Sequence, residues 1–176
     1  MRHLRGLIAA PFTPFRQNGE VDLEMIENLA VSLIANKVAG AFVCGTTGEG
    51  VSMTVEERMR VAERWQACAG DKLSVIVHVG HTALGDSRAL AAHAQKIGAA
   101  ATGCMAPYLF KPSRAEDLAD FLAEIAGDAG AGQLGHDAAL GQFFQDLGFL
   151  DDDLVAFGMG DDGDDALYLD VIYEAL

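Results

Sequence analysis

Four short apolar segments alternate with amphipathic stretches of helical periodicity, and this pattern restricts the fold more than any other feature. The pattern predicts strands within residues 6–10, 40–44, 73–79 and 100–106. Predicted helices begin near Asp22, Thr54, Asp86 and Ser113. The strands recur at about 30 residues and are apolar on both faces, which is typical of parallel βα units. The chain is therefore predicted to be α/β, either a doubly wound sheet or part of a (β/α)8 barrel.

A dinucleotide-binding fold has little support, because no G-x-G-x-x-G sequence follows the first strand. In such a barrel the loops that follow the strands form the active face. Those loops are residues 11–21, 45–53, 80–85 and 107–112. We expect functional side chains there.

The second of these loops carries Gly-Thr-Thr-Gly-Glu-Gly at residues 45–50. Glycines allow positive φ and close approach of a ligand to the backbone. Two adjacent hydroxyls and free loop N–H groups beside a helix start can hold a carboxylate. The alternative is a tight turn whose threonines only satisfy local backbone groups.

Charge is distributed unevenly along the 176 residues. Residues 1–114 hold all 12 Lys and Arg with 10 Asp and Glu, whereas residues 115–176 hold 16 Asp and Glu and no cation. No basic patch exists, so nucleic-acid binding is not expected. The acidic run at 161–165 does not fit EF-hand spacing, and we predict no metal and no cofactor.

Three cysteines, Cys44, Cys68 and Cys104, form neither a metal-binding spacing nor an even disulfide set. We expect them to be reduced thiols, with Cys44 and Cys104 buried, in a cytoplasmic protein. No apolar stretch of about 18 residues exists, so no membrane span is expected. No basic region precedes a long apolar run, so we expect no signal peptide.

Several motifs together resemble one family. They are Ala-Ala-Pro-Phe-Thr-Pro-Phe at 9–15, Asn-Gly-Glu-Val-Asp at 18–22, the 45–50 loop with Glu-Glu-Arg at 56–58, Ile-Val-His-Val-Gly at 76–80 and Ala-Pro-Tyr-Leu-Phe-Lys-Pro at 106–112. In this order they resemble the N-acetylneuraminate lyase and dihydrodipicolinate synthase group. The last two are similar to the N-acetylneuraminate lyase branch. The resemblance covers about residues 4–126.

The resemblance implies the first four βα units of a (β/α)8 barrel and a pyruvate-dependent class I aldolase. Such an enzyme cleaves a sialic acid to pyruvate and N-acetylmannosamine through a lysine Schiff base, with a tyrosine as proton relay. It also implies that Thr46 and Thr47 hold the pyruvate carboxylate. Gly45, Gly48 and Glu49 would support the loop, with Glu49 bonding neighbouring N–H groups.

The family's lysine and relay tyrosine lie beyond the fourth helix, where this sequence departs from the pattern. No Tyr-Tyr-x-x-Pro strand follows, and the last lysine is Lys111, in an active-face loop. A Schiff base requires an amine, and we interpret Lys111 as an ordinary loop lysine. We assign no catalytic residue and predict that this chain is inactive. Tyr108 receives no relay role, since the family's tyrosine corresponds better to Leu109.

We predict two parts, a half barrel at 1–126 and a Gly/Asp-rich acidic tail at 127–176 that is partly helical or disordered. Helical spacing of apolar residues occurs at 138–150. A complete barrel requires about 250 residues. Two explanations fit the junction, a natural short protein or a lyase reading frame broken by a frameshift or deletion. The abrupt loss of Lys, Arg and Pro favours the second.

Two alternative functions stay open. One is a dihydrodipicolinate synthase-like fragment. The other is a non-catalytic assembly module, because a half barrel has exposed sheet edges that need partners. We therefore expect a homo-oligomer paired through those edges, and a 2-keto acid such as pyruvate or a sialic acid as ligand of the parent family.

Overall fold

The computed structural model describes residues 6–107, 109–128, 154–158 and 169–172. The strands are β1 (Ile8–Ala9), β2 (Gly40–Val43), β3 (Ser74–His78), β4 (Ala101–Met105), β5 (Leu154–Gly158) and β6 (Leu169–Ile172). The helices are α1 (Leu23–Ala35), α2 (Val55–Ala69), α3 (Leu84–Lys96) and α4 (Ala115–Asp128). Short 3-10 turns lie at Gly50–Ser52 and Gly70–Lys72.

The six strands form one sheet in the order β1-β2-β3-β4-β5-β6. β1 to β4 are parallel, and Phe42, Ile76 and Ala101 are aligned across the three central strands. Each parallel pair is joined by a helix, as a βα unit requires. The predicted α/β fold with four βα units is confirmed.

Local sequence signals set the helix starts. The Asp22 side chain accepts a hydrogen bond from the Glu24 N–H at 3.2 Å. Thr54 and Glu57 form a reciprocal capping box at the start of α2. α3 begins at Leu84, two residues before the predicted start at Asp86. No helix in the described ranges is both long and apolar enough to cross a bilayer.

Apolar side chains are buried on both faces of the parallel sheet. One face packs against the helices, and its core includes Val43, Val75, Val77 and Cys104 from the strands together with Trp65, Leu90 and Leu122 from the helices. The opposite face carries a smaller cluster of Phe42, Ile76 and Ala101, with Ile8 and Met105 packed against it. Burial on both faces explains why the strands are continuously apolar.

The edge of β4 is covered, in contrast to the open edge expected of a half barrel. β5 pairs antiparallel with β4 from Met105↔Leu154 to Ala101↔Gly158, and β6 pairs antiparallel with β5. The expectation of an exposed edge at β4 is therefore wrong. Within 127–176 the described segments beyond α4 are strands, whereas the predicted helix at 138–150 lies outside the described residues.

Candidate functional site

The loop after β2 is a tight turn with two non-glycine residues in the left-handed region. Cys44 has φ 60° and Glu49 has φ 55°. Inside the turn, the Glu49 N–H donates to Thr46 O at 3.0 Å and the Gly50 N–H donates to Gly45 O at 3.1 Å. Left-handed backbone at non-glycine residues costs free energy and is concentrated at functional sites.

Three glycines allow this turn to pack closely. A Cβ at Gly50 would lie 1.9 Å from the Cys44 carbonyl oxygen, and one at Gly45 would lie 2.6 Å from the Phe42 ring. The Gly48 carbonyl accepts a hydrogen bond at 2.7 Å from the buried Thr13 hydroxyl. The loop after β1 therefore braces the loop after β2.

Thr46 and Thr47 are adjacent and exposed on this turn. Neither their hydroxyls nor their backbone N–H groups make a hydrogen bond within the part of the chain that the structure describes. Four donors thus remain available beside the turn that leads into α2. Such a group suits a carboxylate, and the assignment of the pyruvate carboxylate to these threonines stays a prediction.

Glu49 acts differently from the expectation. Its side chain is exposed and accepts no hydrogen bond from residues that the structure describes. The backbone of Glu49 is left-handed, and its expected support of the loop stays a prediction.

A buried arginine lies in α2, the helix that follows the loop, and the sequence predicted no role for it beyond its place in the Glu-Glu-Arg motif. Arg58 is 1% exposed. Its Nη1 donates to Gly80 O at 3.0 Å, and its Nη2 donates to His78 O at 2.7 Å. The same Nη2 lies 3.2 Å from His78 Nδ1. The sequence does indicate that Arg58 is buried. It follows Val55 by three residues and precedes Ala62 by four, which places it on the buried face of α2.

His78 is neutral in this environment. Burial and the nearby Arg58 charge lower its pKa to about 3, while a contact with the Cys44 backbone acts in the opposite direction. Because a guanidinium only donates, His78 Nδ1 accepts and the ring proton lies on Nε2. Among the described residues Nε2 has no hydrogen-bond partner.

The thiols of Cys44 and Cys104, beside His78 and Arg58, are buried and stay protonated near neutral pH. Burial raises the pKa of Cys44 to about 11 and that of Cys104 to about 12, although the Arg58 charge acts against both shifts. The predicted burial of both cysteines is confirmed. A thiol is nucleophilic as its thiolate, so neither cysteine is a candidate nucleophile.

Lys111 and Leu109 belong to the loop after β4 and not to the loop at residues 45–50. Lys111 is exposed between β4 and α4. Tyr108 lies outside the described residues, and the neighbouring Leu109 is 67% exposed. Within the described ranges no three His, Cys, Asp or Glu side chains are grouped to hold a metal.

The chain is similar to known proteins over its first three quarters. Residues 3–133 match the Dihydrodipicolinate synthetase family. Human N-acetylneuraminate lyase is 43% identical over 132 residues, which cover 74% of this chain and 41% of the relative. The family match at residues 3–133 ends a few residues beyond Ala126, the predicted end of the half barrel.

Solved structures of lyases and synthases show the same similarity. Proteus mirabilis N-acetylneuraminate lyase superposes with a TM-score of 0.71 at 44% identity, covering 73% of this chain and 43% of that one. The chloride inhibited dihydrodipicolinate synthase from Acinetobacter baumannii, complexed with pyruvate, gives 0.68 at 28% identity, covering 72% and 43%. The chain spans about two fifths of the length of the relatives it matches. By fold, motif order and sequence identity, the chain belongs to the dihydrodipicolinate synthetase family.

Proposed function

We propose that this chain derives from an N-acetylneuraminate lyase-type aldolase and carries the half of its site that binds the 2-keto acid. Thr46 and Thr47 hold the carboxylate of pyruvate or of a sialic acid. The observation that carries the proposal is the pair of exposed threonines, with unused donors, on a turn held by Gly45, Gly48 and Gly50. Support comes from the identity to the human lyase and from a related synthase complexed with pyruvate.

The chemistry of the parent enzyme is proposed to be aldol cleavage through a Schiff base, which requires a lysine amine. In the 176 residues the last lysine is Lys111, and it lies in the loop between β4 and α4. We propose that Lys111 does not react with pyruvate and that these residues alone do not turn over a sialic acid.

Two measurements test the two halves of this proposal. Calorimetric titration with pyruvate should give binding that Thr47→Ala weakens by about tenfold, the loss of one hydrogen bond to a charged group. Ser52→Ala, at the exposed end of the same segment, is the matched control and should leave the affinity unchanged. Equal affinity of wild type and Thr47→Ala would contradict the carboxylate assignment.

Borohydride treatment in the presence of pyruvate tests the missing Schiff base. We expect no gain of mass on the intact chain. A stable adduct would overturn the proposed inactivity. Loss of that adduct in Lys111→Arg would then identify the amine.

A second candidate is a non-catalytic assembly module. In the described residues β1 pairs only with β2, and the neighbouring Leu7 side chain is 70% exposed. An open edge of this kind favours pairing with a second copy of the chain. Size-exclusion chromatography with light scattering distinguishes the candidates, since a stable monomer would argue against assembly.

Two finer points belong to the same proposal. A dihydrodipicolinate synthase-like parent is the alternative to a lyase, and titration with pyruvate does not distinguish the two because both use this acid.

We also propose a reducing, cytoplasmic compartment, which agrees with Cys44, Cys68 and Cys104, all of which are free thiols.

A further inference from the structure

Arg58 lies one turn into α2, the helix that follows the loop at residues 45–50, here called the threonine loop after Thr46 and Thr47. The chain runs from β2 through residues 45–50 and a 3-10 turn into α2, where the Arg58 N–H donates to Thr54 O at 3.0 Å. Any movement of the start of α2 would therefore move the distal end of the loop. A residue that fixes this turn also fixes one end of the loop.

The guanidinium of Arg58 joins this turn to the end of β3. Two of its nitrogens donate to the His78 and Gly80 carbonyls at 2.7 and 3.0 Å, on either side of Val79. A planar fork that reaches two carbonyls restrains direction as well as distance. Since the side chain is 1% exposed, water does not compete for these contacts.

The proximal end of the loop is tied to the same residue. The Cys44 thiol donates to the Arg58 carbonyl at 3.8 Å, within the longer range of sulfur contacts. On the side of β3, the Arg58 Nη2 lies 3.2 Å from the His78 Nδ1. Cys44 is the residue whose left-handed backbone turns the chain out of β2. Both ends of the loop thus meet at Arg58.

We propose that Arg58 is the positioning residue of the threonine loop. Its guanidinium joins the start of α2 to the end of β3, while its main-chain carbonyl, which any residue would supply, accepts from Cys44. The guanidinium thereby holds Thr46 and Thr47 at the spacing that a carboxylate requires. The inference rests on the proposed function for the ligand, but not for the restraint of the loop.

Lysine would not replace this contact. An ammonium is a compact donor without the planar fork, so it would not reach both carbonyls with the same geometry. Arg58→Lys keeps the charge and removes the two-pronged restraint, which makes it the informative substitution. Arg60→Lys, two residues away on the exposed side of α2, is the matched control.

Amide hydrogen exchange tests the restraint without any ligand. The Glu49 and Gly50 amides are hydrogen-bonded within the loop and report its opening. In Arg58→Lys we expect their exchange to be about tenfold faster, with α3 amides such as Leu90 unchanged. Unchanged loop exchange would overturn the proposal, and so would an equal acceleration at Leu90, which would show a global effect only.

Pyruvate titration of the same variants separates this inference from the proposed function. If wild type binds, Arg58→Lys should bind about tenfold more weakly and Arg60→Lys should bind as wild type does. Binding equal to wild type in Arg58→Lys would overturn the positioning role for the ligand while leaving the proposed function intact. If wild type does not bind, the proposed function fails, and exchange at Glu49 and Gly50 still decides whether Arg58 restrains the loop.

Discussion

The Nη2 atom of Arg58 lies 2.7 Å from the backbone oxygen of His78 and connects the second helix to the end of the third strand. This contact is buried between residues 20 positions apart. It couples the packing of the core to the geometry of the threonine loop above it.

Removing the guanidinium should destabilise the protein. Arg58→Met keeps much of the side-chain volume but leaves two buried carbonyls without these donors, so we expect the free energy of unfolding to fall by about 3 kcal/mol. Guanidinium chloride denaturation measures the loss. The exposed Arg60→Met should change stability by less than about 0.5 kcal/mol, and equal effects of the two substitutions would contradict the role of the buried contacts.

Stability should fall with acid because of His78. The folded pKa of about 3 lies below the usual value of 6.5, so protonation favours the unfolded chain. The neutral His78 therefore adds its full contribution to the free energy of unfolding above about pH 6.5. As the pH falls toward 3, that contribution is lost at up to about 1.4 kcal/mol for each pH unit.

Denaturation of wild type and His78→Gln across this pH range measures the effect as a difference in slope. NMR of the folded protein provides the direct check, because the His78 ring signals should not titrate between pH 5 and pH 8. A ring titration near pH 6.5 would show that the imidazole is not held neutral.

Alanine at Gly50 should disrupt the loop. Its Cβ would lie 1.9 Å from a backbone oxygen, so either the turn or the end of β2 must move. We expect a loss of about 3 kcal/mol, in the range of overpacking and backbone strain. Gly85→Ala in α3 is the control, since nothing lies within 4 Å of its Cβ, and it should stabilise by up to about 1 kcal/mol. Thermal unfolding of the two variants would contradict the prediction if both shifted alike.

Thiol labelling should separate Cys68 from the other two cysteines. Cys68 is half-buried, which raises the pKa of its thiol, whereas Cys44 and Cys104 are buried with pKa values raised to about 11 and 12. At pH 8 one thiol should react with iodoacetamide in the folded protein and three after denaturation. Mass spectrometry of the labelled peptides checks this, and rapid labelling of Cys104 in the native state would contradict its burial.

The encoding DNA tests the proposed origin of the residues after Ala126. We expect another reading frame beyond this codon to encode a strand with Tyr-Tyr-x-x-Pro and, later, a lysine. Nucleotide sequencing through the junction is sufficient. If no frame encodes these features, the proposal of a broken lyase frame is wrong.

Sequence reasoning predicted the elements whose signals are local. The start of α2 follows from Thr54 and Glu57, which are three residues apart, and the strands follow from continuous apolar runs. It did not predict β5, because the place of this strand depends on antiparallel register with β4, some 50 residues away, and β6 in turn pairs with β5. The expected hydrogen bonds of the Glu49 carboxylate are not made among the described residues, where Glu49 has a left-handed backbone, and its support of the loop stays a prediction.

The sequence by itself determined the family and the four βα units, because each rests on periodicity or on residues close together in the chain, and the role of Thr46 and Thr47 stays a prediction from it. Only the tertiary structure decided what lies beneath that loop. The burial of Arg58 depends on carbonyls of His78 and Gly80 that reach it through the pairing of β2 with β3. A buried cation is costly unless acceptors surround it. The acceptors of Arg58 lie at the end of another strand, so they could not be predicted before the register of the strands was known.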